Sequence, residues 1–152
     1  MKEILLSRNM IAIVDDDDFI YLSQYKWHAL KARNGFYAAR NEKGKTILMH
    51  RLILNCPKTH EVDHKNMDRL DNRKENLRIA TRSQNRNNQK LSKNNTTGFK
   101  GIYYNKKRKS WESFIKANNK HIYLGKFNSP QDAHDAYKCA AILYFGEFAR
   151  VE

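Results

Sequence analysis

The sequence predicts an α+β chain: short N-terminal strands lead into a strand–loop–strand–helix unit, and a three-stranded antiparallel sheet packed on one helix follows. Three observations carry that prediction. Apolar and polar residues alternate in short runs separated by Asn-, Gly- and Lys-rich turns, the pattern of half-buried strands. The stretch 90–96 holds one apolar side chain and reads as a linker. Beyond residue 129 the apolar spacing turns helical.

Composition sets the frame for these elements. With 40% hydrophobic and 11% aromatic residues, the 152-residue chain is too apolar for disorder and thin for one large core. Two small domains fit better, residues 1–89 and 97–152, joined by the linker 90–96. Lys and Arg number 29 against 16 Asp and Glu, a net charge of +13 shared by both halves. Such a balance calls for a polyanion, either nucleic acid or an anionic membrane surface. No run of about 18 apolar residues exists and the N-terminal segment is too short for a signal peptide, so no membrane partner is expected. Cys56 and Cys139 form no C-x-x-C pair; they read as ordinary buried thiols of a soluble, reduced, cytoplasmic protein.

Along the first half, residues 10–14, 36–40 and 46–50 read as strands, with a hairpin turn at 41–45. Asp15, Asp16, Asp17 and Asp18 are consecutive carboxylates. Neighbouring side chains of an extended segment point apart, so the run reads as a solvated turn rather than a metal site.

The stretch 61–81 places Val62 and Leu77-Arg78-Ile79 on either side of a loop dense in Asn and Asp, which suggests a hairpin with an ordered loop. Thr81 with Gln84 fits a capping box and opens a helix. On that scaffold Asp63 is a hard oxygen ligand suited to Mg²⁺, and its neighbour His64 is the usual general base near neutral pH. Asn85, in the first helical turn, reaches back towards the hairpin. A carboxylate and an amide holding one ion, with water and phosphate completing its shell, make a plausible hydrolytic site. Arg82, Arg86, Gln89 and Lys93 fall at spacings of four, three and four, which puts them on one helix face beside it.

His50-Arg51-Leu52-Ile53, Val62-Asp63-His64, Leu70-Asp71-Asn72 and Glu75-Asn76-Leu77-Arg78 together resemble the HNH endonucleases of phages and mobile introns over residues 48–89. The leader Val14-Asp15-Asp16-Asp17-Asp18 followed by Tyr25-Lys26-Trp27 resembles theirs more loosely. The resemblance implies a ββα-metal fold in which Asp63 and Asn85 hold one Mg²⁺ or Mn²⁺ ion per site and His64 activates water. It also implies that Asn76 orients the loop and His64, with Asn72 supporting, and that His50 lies near the site in a structural or phosphate-contacting role. The second histidine ligand of the family name is Asn85 here.

In the second half, residues 99–105, 111–117 and 121–127 read as strands, and Ser129-Pro130 opens a helix as N-cap and first helical position. Ala133, Ala136, Tyr137, Ala140, Ala141 and Tyr144 form its apolar stripe, and Gly146 its C-cap. One sheet face, with Ile102, Ser113, Ile115, Ile122 and Leu124, is expected under the helix. The other, with Tyr103, Asn105, Glu112, Phe114, Lys116, His121 and Tyr123, suits a sheet laid in the DNA major groove. Phe99-Lys100-Gly101-Ile102, Trp111, Tyr123-Leu124-Gly125-Lys126-Phe127 and Ala133-His134-Asp135-Ala136-Tyr137 are similar to the ethylene-response-factor (Apetala-type) DNA-binding domain over residues 97–149. That similarity implies DNA contacts from Lys100, Tyr103, Asn105, Phe114, Lys116, His121 and Tyr123.

The expectation is a divalent-metal-dependent DNA endonuclease of homing or phage-mobility type, acting on double-stranded DNA, with a nicking monomer favoured over a homodimer. The alternative is a sequence-specific DNA-binding regulator with an inactive HNH-like domain. An RNA-binding protein, the third reading, rests on charge and aromatics alone.

Overall fold

The computed structural model describes residues 1–92 and 94–151; the expected contact Lys93 lies outside them. The chain is mixed α+β, with four small sheets and four α-helices among the described residues. It divides into two units, Met1–Asn85 and Arg86–Glu152.

In the first unit, β1 (Lys2–Leu5) pairs antiparallel with β2 (Ile11–Val14). The acidic run is not a turn. It opens α1 (Asp16–Leu22), whose first turn holds three carboxylates against the positive end of the helix dipole. Then β3 (His28–Ala32), β4 (Gly35–Glu42) and β5 (Lys45–Leu48) form a three-stranded antiparallel sheet in that order. The strand expected through residue 50 stops at Leu48, because Met49 and His50 turn inward on a short helix, α2 (Met49–Ile53). Strand β3 went unforeseen, since His-Ala-Leu-Lys-Ala contains good helix formers; the Asn34-Gly35 pair at the β3–β4 turn is its hairpin signal.

The core of this unit gathers Val14, Leu22, Trp27, Ala38 and Met49. Trp27 keeps its indole N–H satisfied by donating to the Leu22 carbonyl at 2.8 Å. Against this core lies the hairpin of β6 (Glu61–His64) and β7 (Leu77–Ala80), followed by α3 (Arg82–Asn87). The capping box forms: Thr81 Oγ1 accepts from the Gln84 amide at 3.3 Å, and Gln84 Oε1 from the Thr81 amide at 2.8 Å. Helix α3 ends at Asn87, so Gln89 is not on it, and of the described residues expected on the basic stripe the helix carries Arg82 and Arg86.

The second unit holds β8 (Ile102–Asn105), β9 (Ser110–Ala117) and β10 (Lys120–Phe127), with β9 central. Helix α4 (Pro130–Phe145) packs on them, its N-terminus capped by Ser129, which accepts from the Asp132 amide at 3.1 Å. Ala133, Ala140 and Ala141 are buried with Ile115 beneath them. Gly101 has φ +70°, and a Cβ there would meet the Tyr137 ring at 2.0 Å, so only glycine lets this backbone approach the helix.

Three expectations for this unit change. Tyr144 is exposed although its spacing puts it on the alanine stripe, in the last turn of α4, and His134 is buried, 4.8 Å from the Phe99 ring. Glu112 is buried at 3% exposure rather than standing on an open face. Cys139 is exposed on α4 and Cys56 half-buried, so neither is the fully buried thiol expected.

Candidate active site

Strand β6 sets the chemistry by its period of two. Glu61 and Asp63 share one face, while Val62 and His64 point to the other. Asp63, 4% exposed, sits opposite Arg78 in the β6–β7 register. Its Oδ2 accepts from Arg78 Nε at 2.8 Å, and Arg78 Nη2 lies 2.6 Å from the same oxygen. Asn85, from the first turn of α3, donates its Nδ2 to Glu61 Oε2 at 2.5 Å, which draws it to the strand that carries Asp63. Neither Glu61 nor Arg78 was singled out by sequence reasoning; their positions two residues before Asp63 and directly across the hairpin are the signal.

On the other face His64 is buried among aromatic rings. The His50 ring lies 5.1 Å from it, edge to face, and the Tyr37 ring touches both, at 5.0 Å from His50 and 6.2 Å from His64. The Arg69 guanidinium stacks 4.7 Å over Tyr37, which brings a cation to this cluster. Burial pushes the His64 pKa down, opposed by its Asn72 amide neighbour and the Asp63 charge. For His50, burial first and then the charges of His64, Arg51 and Arg69 lower it to about 3. A buried imidazole held neutral is a proton acceptor at neutral pH. Tyr37 and Arg69 were missed because β4 and the 65–76 loop meet only in the fold.

That loop is held by its own polar groups. Asn76 Oδ1 accepts from the Asn66 amide at 2.9 Å, and its Nδ2 donates to the Asp71 carbonyl at 2.8 Å. Its side chain therefore braces the loop that follows His64. The Asp71 carboxylate takes Asn66 Nδ2 at 2.8 Å and both Arg73 Nε and Nη2, at 2.8 and 2.7 Å. The Arg73 bonds hold the Asp71 pKa below the usual carboxylate range. Asn72 is fully buried; its amide N–H donates to the Ile13 carbonyl at 2.7 Å, tying the loop to β2. The acidic run acts here too: Asp15 accepts from the Lys74 amide at 2.7 Å, and Asp18 pairs with its ammonium at 3.0 Å.

The remaining predicted residues divide. Arg82, Arg86 and Gln89 are exposed. On the sheet, Tyr103, Lys116, His121 and Tyr123 are exposed and Phe114 is half-buried between two tyrosine rings. Lys100 is not on that face, because its Nζ donates to the carbonyls of Gln89 and, at 3.1 Å, Arg150. Asn105 is engaged at both ends of its amide, donating to Glu112 at 2.8 Å and accepting from the Arg108 N–H at 3.1 Å. Among the described residues no three or more His, Cys, Asp or Glu gather as a metal cage.

Residues 55–87 match the family model for HNH endonuclease. They span β6, the polar loop, β7 and α3. Over 64 residues the chain is 36% identical to Protein 3.8 of Escherichia phage T7, which covers 42% of this chain and 53% of that protein. The chain thus spans about half the length of the phage relative. Over 148 residues it is 29% identical to the protein named Uncharacterized HNH endonuclease L560 of Acanthamoeba polyphaga mimivirus, covering 93% of this chain and 74% of that one. No solved structure matches. The HNH segment and the viral relative support a nuclease. No helix among the described residues is long and apolar enough to cross a membrane.

Proposed function

We propose that this chain is a divalent-metal-dependent endonuclease that nicks double-stranded DNA as a monomer, of the phage-mobility or homing type. The observation behind it is the buried Asp63–His64 pair at the end of β6, with Asn85 drawn to the same strand. The donor set fits a hard cation: one carboxylate and one amide oxygen, with few protein ligands, as Mg²⁺ accepts when water and phosphate fill its shell. Using Nδ2 on Glu61 leaves Oδ1 as the ligating atom of Asn85. When bound, the ion would stabilise charge on the phosphate and on the leaving oxygen.

The chain's own residues supply the rest. His64 takes the proton of the attacking water at a ring nitrogen kept neutral by burial. Asn76, Asn72 and Asp71 keep the loop after His64 from moving, and His50 packs against the His64 ring. Arg69, stacked on Tyr37, offers a guanidinium to the scissile phosphate. Arg82 and Arg86 would follow the DNA backbone. In the second unit the open face of the three-stranded sheet would meet the major groove through Tyr103, Phe114, Lys116, His121 and Tyr123. With many phosphates neutralised, affinity would fall steeply with salt.

The regulator reading has one observation in its favour: Arg78 already neutralises Asp63. Supercoiled plasmid incubated with Mg²⁺ decides between them. The nuclease produces nicked circles, EDTA stops it, and His64→Ala lowers the rate by about three orders of magnitude without changing duplex affinity. Tight binding with no nicking of plasmid carrying the native target favours the regulator.

A further inference from the structure

Glu112 is an anomaly on a face expected to meet a polyanion. It is a carboxylate, 3% exposed, in the middle of a strand. Both of its oxygens are engaged: Oε2 accepts from the Tyr103 hydroxyl at 2.7 Å, and Oε1 accepts from Asn105 Nδ2 at 2.8 Å and from Arg108 Nη1 at 3.2 Å. It therefore presents little negative charge outward and holds three neighbours in place. Of these, Tyr103 and Asn105 have their polar ends occupied. Arg108 does not: its side chain is 63% exposed, and one of its five N–H donors is committed to Glu112.

Arg108 stands at the end of the β8–β9 turn, at the rim of the face that carries Tyr103, Phe114 and Tyr123. The three strands contain no arginine, so it is the arginine nearest that face in sequence. Lysine offers a point charge, which does not distinguish bases well, whereas the planar guanidinium fork matches the O6 and N7 acceptors of guanine. A long exposed side chain would lose much freedom on binding; anchoring one edge of the fork on a buried carboxylate removes part of that cost beforehand. We infer that Arg108, held by Glu112, reads a guanine in the duplex at the rim of the sheet, and that Glu112 is its positioning residue. The inference rests on the sheet face binding duplex DNA.

The test is selection of bound sequences from a randomised duplex pool by the full chain in EDTA, where nothing is cut. Wild type should enrich a site with a guanine at one position, favoured roughly 5- to 150-fold over other bases. Arg108→Lys, a surface change that keeps the charge, should bind the unselected pool within about threefold of wild type and lose that guanine preference. Glu112→Gln should relax the same position and leave the others alone. Unchanged preference in Arg108→Lys overturns the inference while leaving duplex binding intact, as does a uniform loss of affinity with the preference kept, which marks a phosphate contact. If Glu112→Gln unfolds by circular dichroism, Arg108→Lys decides alone. No duplex binding by wild type removes the reading beneath the inference, and the inference with it.

Discussion

The loop between β6 and β7 and the open face of the β8–β9–β10 sheet are both rich in polar side chains, yet they are built in opposite ways. In the loop the polar groups point inward and bind one another: Asp71, Asn72 and Asn76 are buried, and their partners include β2. On the open face of the sheet most side chains stand outward from a ladder that shifts register once, between Tyr123 and Gly125, and Glu112 is the one carboxylate turned into the structure. The difference teaches what each region requires. Holding two reacting groups to a fraction of an ångström needs a cross-linked lattice. Meeting an extended polyanion, the role proposed for the sheet, needs a periodic surface with charge and rings on it, and the backbone ladder supplies most of that, with side-chain bracing at Glu112.

Breaking one lattice node should therefore cost far more than removing one group from the open face. The largest effect is expected from Asp71→Ala, which strips Arg73 and Asn66 of their acceptor. It should destabilise the first unit by about 3 kcal/mol in a urea titration and abolish nicking with it. Next comes pH. His50 has a folded pKa of about 3, below its unfolded value, so the unfolded chain binds more protons on acidification. Stability should be complete above about pH 6.5 and fall towards pH 3 by up to about 1.4 kcal/mol per unit, with His64 acting in the same direction. Melting curves of His50→Leu should show a shallower slope.

In the second unit Gly101→Ala sharpens the contrast, because there the fold depends on close approach rather than on polar bonds. The added methyl meets Tyr137 and the residue must keep φ +70°, so a loss of about 2 kcal/mol is expected in a thermal melt. The smallest effect is Lys116→Ala. Duplex affinity should drop a few-fold, and the slope of log affinity against log salt should fall by about one. A drop as large as that for removing the whole face would mean that the surface is not a distributed one.

The regions also differed in how much could be read in advance. Segment 61–85 was legible because its signals are local: Thr81 and Gln84 three apart, Val62 and Leu77 flanking an Asn- and Asp-rich loop. The alternating strands of the second half and the Ser129-Pro130 helix start were legible for the same reason. Strand β3 was not, since its residues prefer helix and pairing with β4 overrode them. Asp15 bonds to the Lys74 amide across 59 positions, and no local pattern announces such a pair. Glu112 obeys the alternation that puts it on the open face, yet Tyr103, Asn105 and Arg108 close over it.

The sequence by itself determined the fold class, the basic surface and the residues at the ends of the polar loop, because periodicity, composition and capping act over a few positions. Only the tertiary structure decided that Arg78 and Glu61 engage Asp63 and Asn85, that Tyr37 and Arg69 join the two histidines, and that Arg108 is tethered to a buried carboxylate. Those are contacts between side chains whose directions depend on how strands and loops pack, and packing is a property of the whole unit.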